Sequence, residues 1–275
     1  GCGMNSVANG KVILKTPFKK VYVQSAAGDA GGAIGAAFTT WHKVGGEQAK
    51  KRTQSHDHAY WGPSFSNKYI GKLLEKQKDR IEKENCDIKY ITDISELTKK
   101  TATEIAEGKV IGWFQGRMEW GPRALGNRSI LCDPRRSDMK DILNLKIKRR
   151  ESFRPFAPSI LRESVPEWFE QNNDVPFMMQ VYQILKEKRS LIPAVTHVDG
   201  SGRLQTVSEK TNLRYHTLIK EFNNLTSIPM LLNTSFNENE PVVCKPEEAL
   251  ETFLRTKMDL LVIGDWIIKR KAQDL

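Results

Sequence analysis

A sustained alternation of helical and extended patterns, from about Ser64 to the end of the chain, constrains the fold most. Apolar residues repeat at helical spacing in the segments 65–81, 94–109, 137–150, 216–226 and 245–257. Extended apolar segments lie between them, at 110–114, 175–184, 228–236 and 260–270. Because helices and strands in alternation are typical of α/β folds, we expect an α/β architecture.

The ends of the helical segments carry boundary signals. Ser64 or Ser66 is suited to cap the first helix, and Ser137 is suited to cap the third. Gly108 is placed to end the second helix, and Pro246 to begin the last. We therefore expect helix boundaries close to these residues.

The first 45 residues differ in composition from the rest. VYVQS, at 21–25, is predicted to be a short strand. The stretch that follows, AAGDAGGAIGAAFTTW, is predicted to be a Gly-rich turn that opens a helix of small residues. Such a turn can receive a phosphate at the free N–H groups of the helix end, although a tight turn without a ligand explains the pattern equally.

Residues 46–63 are polar and charged and end in Gly-Pro, which is typical of a linker. The His-Asp-His run at 56–58 lies inside it, and since i,i+2 residues in a loop chelate a metal poorly, we assign the run to the linker. The expected organisation is a unit at 1–45, this linker, and a main domain at 64–275. Because the chain begins GCGMN rather than with Met, we expect a fragment of a longer protein.

Composition narrows the location and the class of partner. No apolar run approaches the roughly 18 residues that span a bilayer, and no signal peptide is visible. The 4 cysteines are scattered without zinc or disulfide spacing, so we expect a reducing cytoplasm. The net charge of +10 suits nucleic acid, a membrane surface or small anions, and equally a solvated surface.

Polar loops border the predicted strands, at 116–130, 146–159, 200–205 and 232–237. Their cationic side chains are Arg117, Arg123, Arg128, Lys148, Arg149, Arg150, Arg154 and Arg203. Their neutral polar side chains include Ser129, Ser159, Asn233, Ser235 and Asn237, and their carboxylates are Glu119 and Glu151. These loops contain no His, and no Ser-His-Asp or Cys-His arrangement is present. The inventory predicts binding and stabilisation of a polyanion rather than proton transfer.

Two plainer interpretations stay open at this point. For any single arginine, a surface ion pair is an ordinary alternative. The segment 135–154 holds eight basic and three acidic residues and would suit an RNA-contacting stripe. Phe153 is the one aromatic in it that could stack on a base, so small-anion binding explains the FRPFAP turn better.

The motifs GWFQGRMEWGPRALGNRSILCDPR, KRRESFRPFAPSIL, HVDGSGRLQTV and LNTSFNENEPVV, in this order, resemble the NodU/CmcH-type carbamoyltransferases. MNSVANGKVIL and VYVQSAAGDAGGAIGAA resemble the end of that family's N-terminal ASKHA-like α/β domain, and residues from about 60 onward resemble its C-terminal YrdC-like domain. The resemblance therefore implies an α/β fold in which a YrdC-like mixed sheet with flanking helices follows a partial ASKHA-like unit. The resemblance implies that the YrdC-like domain makes carbamoyl-adenylate from carbamoyl phosphate and ATP. A metal-carrying ASKHA-like domain would then transfer the carbamoyl group to a hydroxyl of an antibiotic, a glycan or another natural product.

The resemblance also implies functional residues. The catalytic set would be Arg117, Lys148, Arg150 and Arg203. The nucleotide- and phosphate-binding set would be Gly28, Gly31, Gly32, Arg123, Arg128, Ser159, Asn233, Ser235 and Asn237. Asp29 would be a ligand of the divalent metal, iron or magnesium, in the longer protein. The family's metal-binding HxxxH motif is absent from this sequence, so we expect the transfer half-reaction to be missing from this chain.

Two other functions remain alternatives: threonylcarbamoyl-adenylate synthesis for tRNA modification by a YrdC-type enzyme, and an RNA-binding module without catalysis. A requirement for carbamoyl phosphate would indicate carbamoyl transfer, whereas a requirement for threonine and bicarbonate would indicate threonylcarbamoyl-adenylate synthesis. The expected partners are small-molecule substrates and the N-terminal domain of the same protein. Neither a membrane nor a nucleic acid is an expected partner.

Overall fold

Within the residues that the structure describes, 1–50, 56–148 and 155–271, an eight-stranded mixed sheet forms the centre of this computed structural model. The strands are β1 (Cys86–Tyr90), β2 (Ile111–Phe114), β3 (Arg128–Cys132), β4 (Ala157–Leu161), β5 (Tyr182–Gln183), β6 (Ser201–Gly202), β7 (Gln205–Val207), β8 (Met230–Ser235), β9 (Leu260–Ile263) and β10 (Trp266–Arg270). The large sheet has the order β1-β10-β9-β2-β3-β8-β4-β7, and β5 and β6 form a separate ribbon. Its β2–β9 and β4–β7 pairs are parallel and the others are antiparallel, which confirms the predicted mixed sheet.

Helices flank the sheet, as the alternation predicts. They are α1 (Ser6–Lys15), α2 (Gly31–Val44), α3 (Gly46–Lys50), α4 (Asn67–Lys76), α5 (Lys78–Lys83), α6 (Ile94–Ala106), α7 (Met139–Leu143), α8 (Leu213–Thr226) and α9 (Pro246–Arg255). Helix α8 packs on β4 and β8, while α9 packs on β2 and β9. Every residue of β2, β3, β4 and β9 is buried, as expected for strands covered on both faces. No helix of the described ranges is long and apolar enough to cross a bilayer.

Two predicted helices differ in detail from their patterns. The first is divided into α4 and α5, and its N-cap is Ser66, whose hydroxyl accepts a hydrogen bond from the Tyr69 amide at 3.2 Å. The third consists of α7 followed by a π-helical turn at Asn144–Lys148. Its N-cap is Asp138 rather than Ser137, and the Asp138 side chain makes no capping hydrogen bond.

Of two strands predicted in apolar segments, the one at 21–25 is not formed and the one at 175–184 is much shorter than predicted. Residues 21–25 pair with no strand in the described part of the chain and lead into turns, so their apolar pattern does not produce a strand. Of the segment 175–184, only β5 is a strand. Met178 has a φ of 58°, which breaks the extended backbone, and Phe177, Met178 and Met179 are instead buried in a loop.

The C-terminal segment is a hairpin rather than one strand. Ile263 pairs with Trp266, so β9 and β10 are joined by the two residues Gly264 and Asp265. Gly264 has a φ of 57°, a conformation that glycine adopts readily and that suits a tight hairpin turn. The predicted loop at 200–205 is also partly extended, since it contains β6 and the first residue of β7.

The N-terminal unit is attached to the main body through α1. The Asn9 side chain donates to the Met179 carbonyl at 3.0 Å, and the Val181 amide donates to the Ser6 carbonyl at 3.0 Å. A side chain at Gly10 would lie 2.1 Å from the Val181 carbonyl oxygen, so the close approach of α1 requires glycine there. Helix α2 carries no buried residue and exposes apolar side chains, including Trp41 at 46% and Val44 at 76%.

Candidate functional site

The predicted polar loops meet at one edge of the sheet. Strand β2 is parallel to β9 and antiparallel to β3, β3 and β4 are both antiparallel to β8, and β4 is parallel to β7. The loops that follow β2 and β8 therefore leave the sheet where the segments preceding β4 and β7 enter it. Segments far apart in sequence thus converge there, in the position where open α/β sheets commonly bind ligands.

A polar stripe crosses one face of the sheet near this edge. Ser129 of β3 is opposite Ser235 of β8, and Ser159 of β4 is opposite Gln205 of β7. Ser159 is also opposite Leu231, two residues before Asn233, so alternation places all of these side chains on the same face. The sequence analysis named four of them and missed Gln205, which only the strand register brings beside Ser159.

The centre of the stripe lies beneath the 116–130 loop. The Ser159 hydroxyl donates to Gln205 Oε1 at 2.7 Å, and the Asn233 amide group donates to the Ser159 hydroxyl at 2.9 Å. The Asn233 amide group also donates to the Ala124 carbonyl at 3.1 Å, and Gln205 donates to the Leu125 carbonyl at 2.8 Å. The Asn233 and Gln205 amide groups therefore hold the loop and Ser159 links the two, while Asn233 Oδ1 is buried without a hydrogen-bond partner among the described residues.

Glu119 organises the 116–130 loop from within. Its buried carboxylate accepts hydrogen bonds from the amides of Leu125 at 2.7 Å, Asn127 at 2.8 Å and Arg128 at 3.3 Å. Burial raises the pKa of the Glu119 carboxyl, and the backbone donors at Asn127 and Leu125 oppose that rise. The carboxylate thus fixes the loop by receiving backbone N–H groups from its far end.

Arg128 braces the same loop and is fully buried. Its guanidinium donates to the carbonyls of Gln115 at 2.6 Å, Asn127 at 2.9 Å and Pro63 at 3.3 Å. It lies 3.6 Å from the Phe114 ring centroid, and burial lowers the pKa of Arg128 to about 10. This geometry favours a structural brace over the predicted phosphate ligand, and the sequence analysis missed it because the acceptors are backbone carbonyls.

Arg117 is exposed and holds the predicted linker. Its guanidinium donates to the Trp61 carbonyl at 2.8 Å and to the Gly62 carbonyl at 3.1 Å. The Trp120 amide also donates to the Ala59 carbonyl at 2.6 Å, so the chain at 59–63 lies along the loop. The structure therefore places the Arg117 guanidinium against backbone carbonyls of the predicted linker.

Arg123 has the least satisfied guanidinium of the three arginines in the loop. It is partly buried, and burial lowers the pKa of Arg123. In the described part of the chain its Nε atom is buried without a hydrogen-bond partner, and no carboxylate forms an ion pair with it. A buried cationic donor of this kind can be satisfied by an anionic ligand.

Lys148, Ser235 and Asn237 form the tightest cluster among the predicted residues. Lys148 ends the π-helical turn and is buried, and its Nζ lies 2.7 Å from Asn237 Oδ1 and 2.7 Å from the Ser235 carbonyl oxygen. It also lies 3.3 Å from Ser235 Oγ, and Ser235 Oγ lies 2.8 Å from Asn237 Oδ1. The structure thus brings a lysine, a hydroxyl and an amide together from segments 87 residues apart.

The predicted residues Arg149, Arg150, Glu151 and Arg154 lie outside the described residues. Arg203 is described and partly buried, on the loop between β6 and β7. It precedes Gln205 of the polar stripe by two residues, in the segment that enters β7 at this edge of the sheet.

The predicted glycine positions line cavities of the N-terminal unit. Gly28 and Gly31 border a cavity of about 1070 Å³ whose walls include the aromatic side chains of Phe38 and Trp41. A side chain at Gly31 would lie 2.2 Å from the Ala26 carbonyl oxygen, so the absence of a side chain there is required by the turn itself. Gly32 has open space around it and does not line this cavity.

A second cavity, of about 520 Å³, lies between the N-terminal unit and the 116–130 loop. Gly28 and Asp29 line it from one side, and Met118, Glu119 and neighbouring residues line it from the other. Asp29 is exposed, and the described residues contain no group of three or more His, Cys, Asp or Glu side chains that could hold a metal ion. The residues present therefore do not fit a metal on their own, and no chemical step is assigned to one.

Two solved structures resemble part of the chain. The full-length HypF crystal structure in its phosphate- and nucleotide-bound form covers 68% of this chain and 22% of its own, with 16% sequence identity and a TM-score of 0.43. The crystal structure of YciO from E. coli covers 64% of this chain and 81% of its own, with 15% identity and a TM-score of 0.42. The family assignment below does not depend on these two similarities.

Sequence relatives cover nearly the whole chain. Nodulation protein NolNO of Sinorhizobium fredii is 44% identical over 99% of this chain and 39% of its own length. Nodulation protein NolO of Bradyrhizobium diazoefficiens is 42% identical over 100% of this chain and 49% of its own length. The chain therefore spans about half the length of the curated relatives it matches, or somewhat less.

Two family models match consecutive parts of the chain. The carbamoyltransferase N-terminus model matches residues 1–38, and the carbamoyltransferase C-terminus model matches residues 102–270. The second match alone covers more than half of the chain and includes β2 to β10, the last part of α6, α7 to α9 and all four polar loops. The chain belongs to the carbamoyltransferase family.

Proposed function

We propose that this chain forms carbamoyl-adenylate from carbamoyl phosphate and ATP, as one half of an O-carbamoyltransferase reaction. The observation that carries the proposal is the contact of Lys148 with Ser235 and Asn237 at the end of the sheet where the loops that carry Arg123 and Arg203 also lie. Both proposed substrates are polyanions, and bringing them together without cations is unfavourable. Lysine and arginine groups held by a rigid sheet edge offset that repulsion with little rearrangement.

The proposed chemistry is a balanced group transfer. Carbamoyl phosphate and one water give carbamate and inorganic phosphate, and a carbamate oxygen then attacks the α-phosphorus of ATP. The bond from that phosphorus to the bridging oxygen breaks, and pyrophosphate leaves. Arg203 would hold phosphate oxygens, and Arg123 would stabilise negative charge on the departing group. Lys148 would exchange its 3.3 Å hydrogen bond to Ser235 Oγ for one to a phosphate oxygen, and Ser235 and Asn237 would orient the reacting oxygens.

The second half-reaction belongs to the longer protein that we infer contains this chain. There, the carbamoyl group would pass to a hydroxyl of an antibiotic, glycan or other natural product, in a domain that carries a divalent metal. The exposed apolar side of α2, including Trp41 and Val44, supports an apolar contact with that N-terminal domain. The four cysteines are free in the structure, which supports a cytoplasmic location for the protein.

The test measures AMP, pyrophosphate and phosphate formed from ATP, with and without carbamoyl phosphate, using the 275-residue chain and any longer form of it. We expect turnover that depends on carbamoyl phosphate. The same assay with threonine and bicarbonate in place of carbamoyl phosphate tests the tRNA-modification alternative. Turnover without any stimulation by carbamoyl phosphate contradicts the proposal.

Point variants test which side chains belong to the proposed site. Arg203→Ala and Lys148→Met should lower carbamoyl-phosphate-dependent turnover by about 10²- to 10³-fold, as expected when a group that stabilises transition-state charge is removed. Lys100→Met is the matched control, because Lys100 is an exposed lysine of α6 that pairs with Glu96. Circular dichroism establishes that each variant folds. Wild-type turnover in a folded Arg203→Ala protein removes Arg203 from the site.

A further inference from the structure

The turn that precedes Arg203 contains a hydrogen-bonded set of three polar side chains. The Ser201 hydroxyl lies 2.6 Å from Asp199 Oδ1, and His197 Nδ1 lies 3.1 Å from Ser201 Oγ. The Ser201 amide also donates to Asp199 Oδ1 at 3.0 Å. Ser201 is buried, and the sequence analysis assigned none of these three residues a function.

The proton inventory of this set fixes the state of His197. The hydrogen bond from Ser201 holds the pKa of Asp199 below its usual range, so the carboxylate is ionised and only accepts. Ser201 must therefore donate its one proton to Asp199, and His197 Nδ1 must donate to Ser201 Oγ. In a neutral ring this leaves Nε2 as a bare lone pair, and within the described residues that atom is buried without a hydrogen-bond partner.

Burial is the largest of the influences that disfavour a second proton on the His197 ring, and nearby charges act in both directions. Asp199, on its own turn, favours the charged imidazolium, while Arg203 and Lys140 disfavour it. Burial acts in the same direction as the two cations, and together they lower the pKa of His197 below its ordinary value of 6.5. The Lys140 ammonium is held nearby, 3.4 Å from the Thr196 carbonyl oxygen.

The same turn is rigidly connected to the strand that leads into Arg203. The His197 amide donates to the Ser201 carbonyl at 2.8 Å, and the Gly200 amide donates to the His197 carbonyl at 2.9 Å. Gly200 has a φ of 78°, and a side chain there would lie 2.3 Å from the Arg189 guanidinium carbon. Ser201 and Gly202 then pair with β5, and Arg203 is the next residue. Only two residues, both paired with β5, therefore separate the turn from Arg203.

We propose that His197, in its neutral Nδ1-protonated form and supported by Ser201 and Asp199, is a positioning residue for Arg203. Protonation of Nε2 would place a third cation beside Arg203 and Lys140 and displace the guanidinium from its working position. The inference rests on the proposed function, in which Arg203 holds a substrate phosphate. Substrate turnover is then full when His197 is neutral, and it declines as the pH falls through the His197 pKa.

The kinetic test compares pH profiles of carbamoyl-phosphate-dependent AMP formation between pH 5 and 8 for the wild type and His197→Gln. Glutamine keeps a donor near Ser201 but does not titrate in this range. We expect His197→Gln to lose the part of the acid decline that His197 causes. We also expect its kcat/KM at pH 7.5 to fall about tenfold, a modest value for a displaced catalytic group. Identical profiles for both proteins overturn the proposal.

A second measurement separates this inference from the proposed function. Imidazole ¹⁵N chemical shifts report the tautomer and the pKa of His197 without any substrate. We expect a protonated Nδ1, a bare Nε2 and a pKa below 6.5, and we expect Ser201→Ala to raise the fraction of the other tautomer. A protonated Nε2 at neutral pH overturns the inference even if turnover is found. Absence of turnover with the expected tautomer contradicts the proposed function instead.

Discussion

Replacement of Glu119 by alanine should loosen the 116–130 loop more than any change on its surface. The carboxylate accepts from the amides of Leu125, Asn127 and Arg128, and it is buried with only 6% of its surface exposed. Glu119→Ala leaves three backbone N–H groups without an acceptor in an interior location. The Arg128 guanidinium also loses the negative charge that raises its pKa.

The magnitude follows from the number of orphaned donors. Each buried N–H left without an acceptor costs about 1–3 kcal/mol, but water can enter the space that the side chain leaves. We therefore expect Glu119→Ala to lower the free energy of unfolding by about 3 kcal/mol, the lower end of the sum of three such penalties. For a chain of this size, that loss corresponds to a fall in Tm of about 6–12 °C.

The assay is urea denaturation followed by circular dichroism and intrinsic fluorescence. Glu119→Gln keeps an acceptor oxygen without the charge and should lose about 1 kcal/mol, because charge-assisted hydrogen bonds are roughly twice as strong as neutral ones. Glu96→Ala is the control, since Glu96 is exposed and pairs with Lys100 on the surface of α6; we expect no measurable change in it. A loss below about 0.5 kcal/mol in Glu119→Ala, the range of ordinary surface substitutions, would refute the reasoning.

Three further outcomes are expected from denaturation experiments. Gly126→Ala should lower the free energy of unfolding by about 3 kcal/mol, because Gly126 has a φ of 103° and a side chain would lie 2.1 Å from the Tyr215 ring; an unchanged midpoint would contradict this. Gly35→Ala in α2 should raise it by about 0.5–1 kcal/mol, since nothing lies within 4 Å and alanine favours the helix; a decrease would show an undetected contact. The free energy of unfolding should fall as the pH drops below 6.5, because the lowered pKa of His197 makes the unfolded state bind more protons, and His197→Gln should flatten that slope.

Local sequence patterns predicted the elements whose periodicity is long and uninterrupted. Helices α6, α8 and α9 and strands β2 and β8 lie where their patterns place them. The Gly264-Asp265 pair is a typical hairpin turn, but because it lies inside an apolar segment, one continuous strand was predicted at 260–270. The segment 175–184 was apolar for a different reason, since its side chains fill a buried loop whose backbone is not extended. Burial and extension produce similar patterns over short segments, so periodicity could not separate them.

The candidate site was predictable as an inventory of groups but not as an arrangement. The sequence named Lys148, Ser235 and Asn237, yet their contact depends on strand pairing that places β8 beside the end of a π-helical turn. It could not identify Gln205 or Glu119 as parts of the polar network, because their partners lie on other elements. Nor could it find the state of His197, which depends on the cations and the burial that the fold supplies.

The three arginines of GRMEWGPRALGNRSI show which features the sequence determines and which depend on the tertiary structure. By itself, the sequence determined that a Gly- and Pro-containing loop rich in guanidinium groups follows a buried strand, and its motifs indicated the family. Only the tertiary structure decided that Arg128 donates to the carbonyls of Gln115, Asn127 and Pro63, and that Arg117 donates to those of Trp61 and Gly62. Arg123 was left with an unsatisfied buried donor in the described structure. The physical reason is that every residue offers a backbone carbonyl, so the fold alone selects which carbonyls a guanidinium can reach.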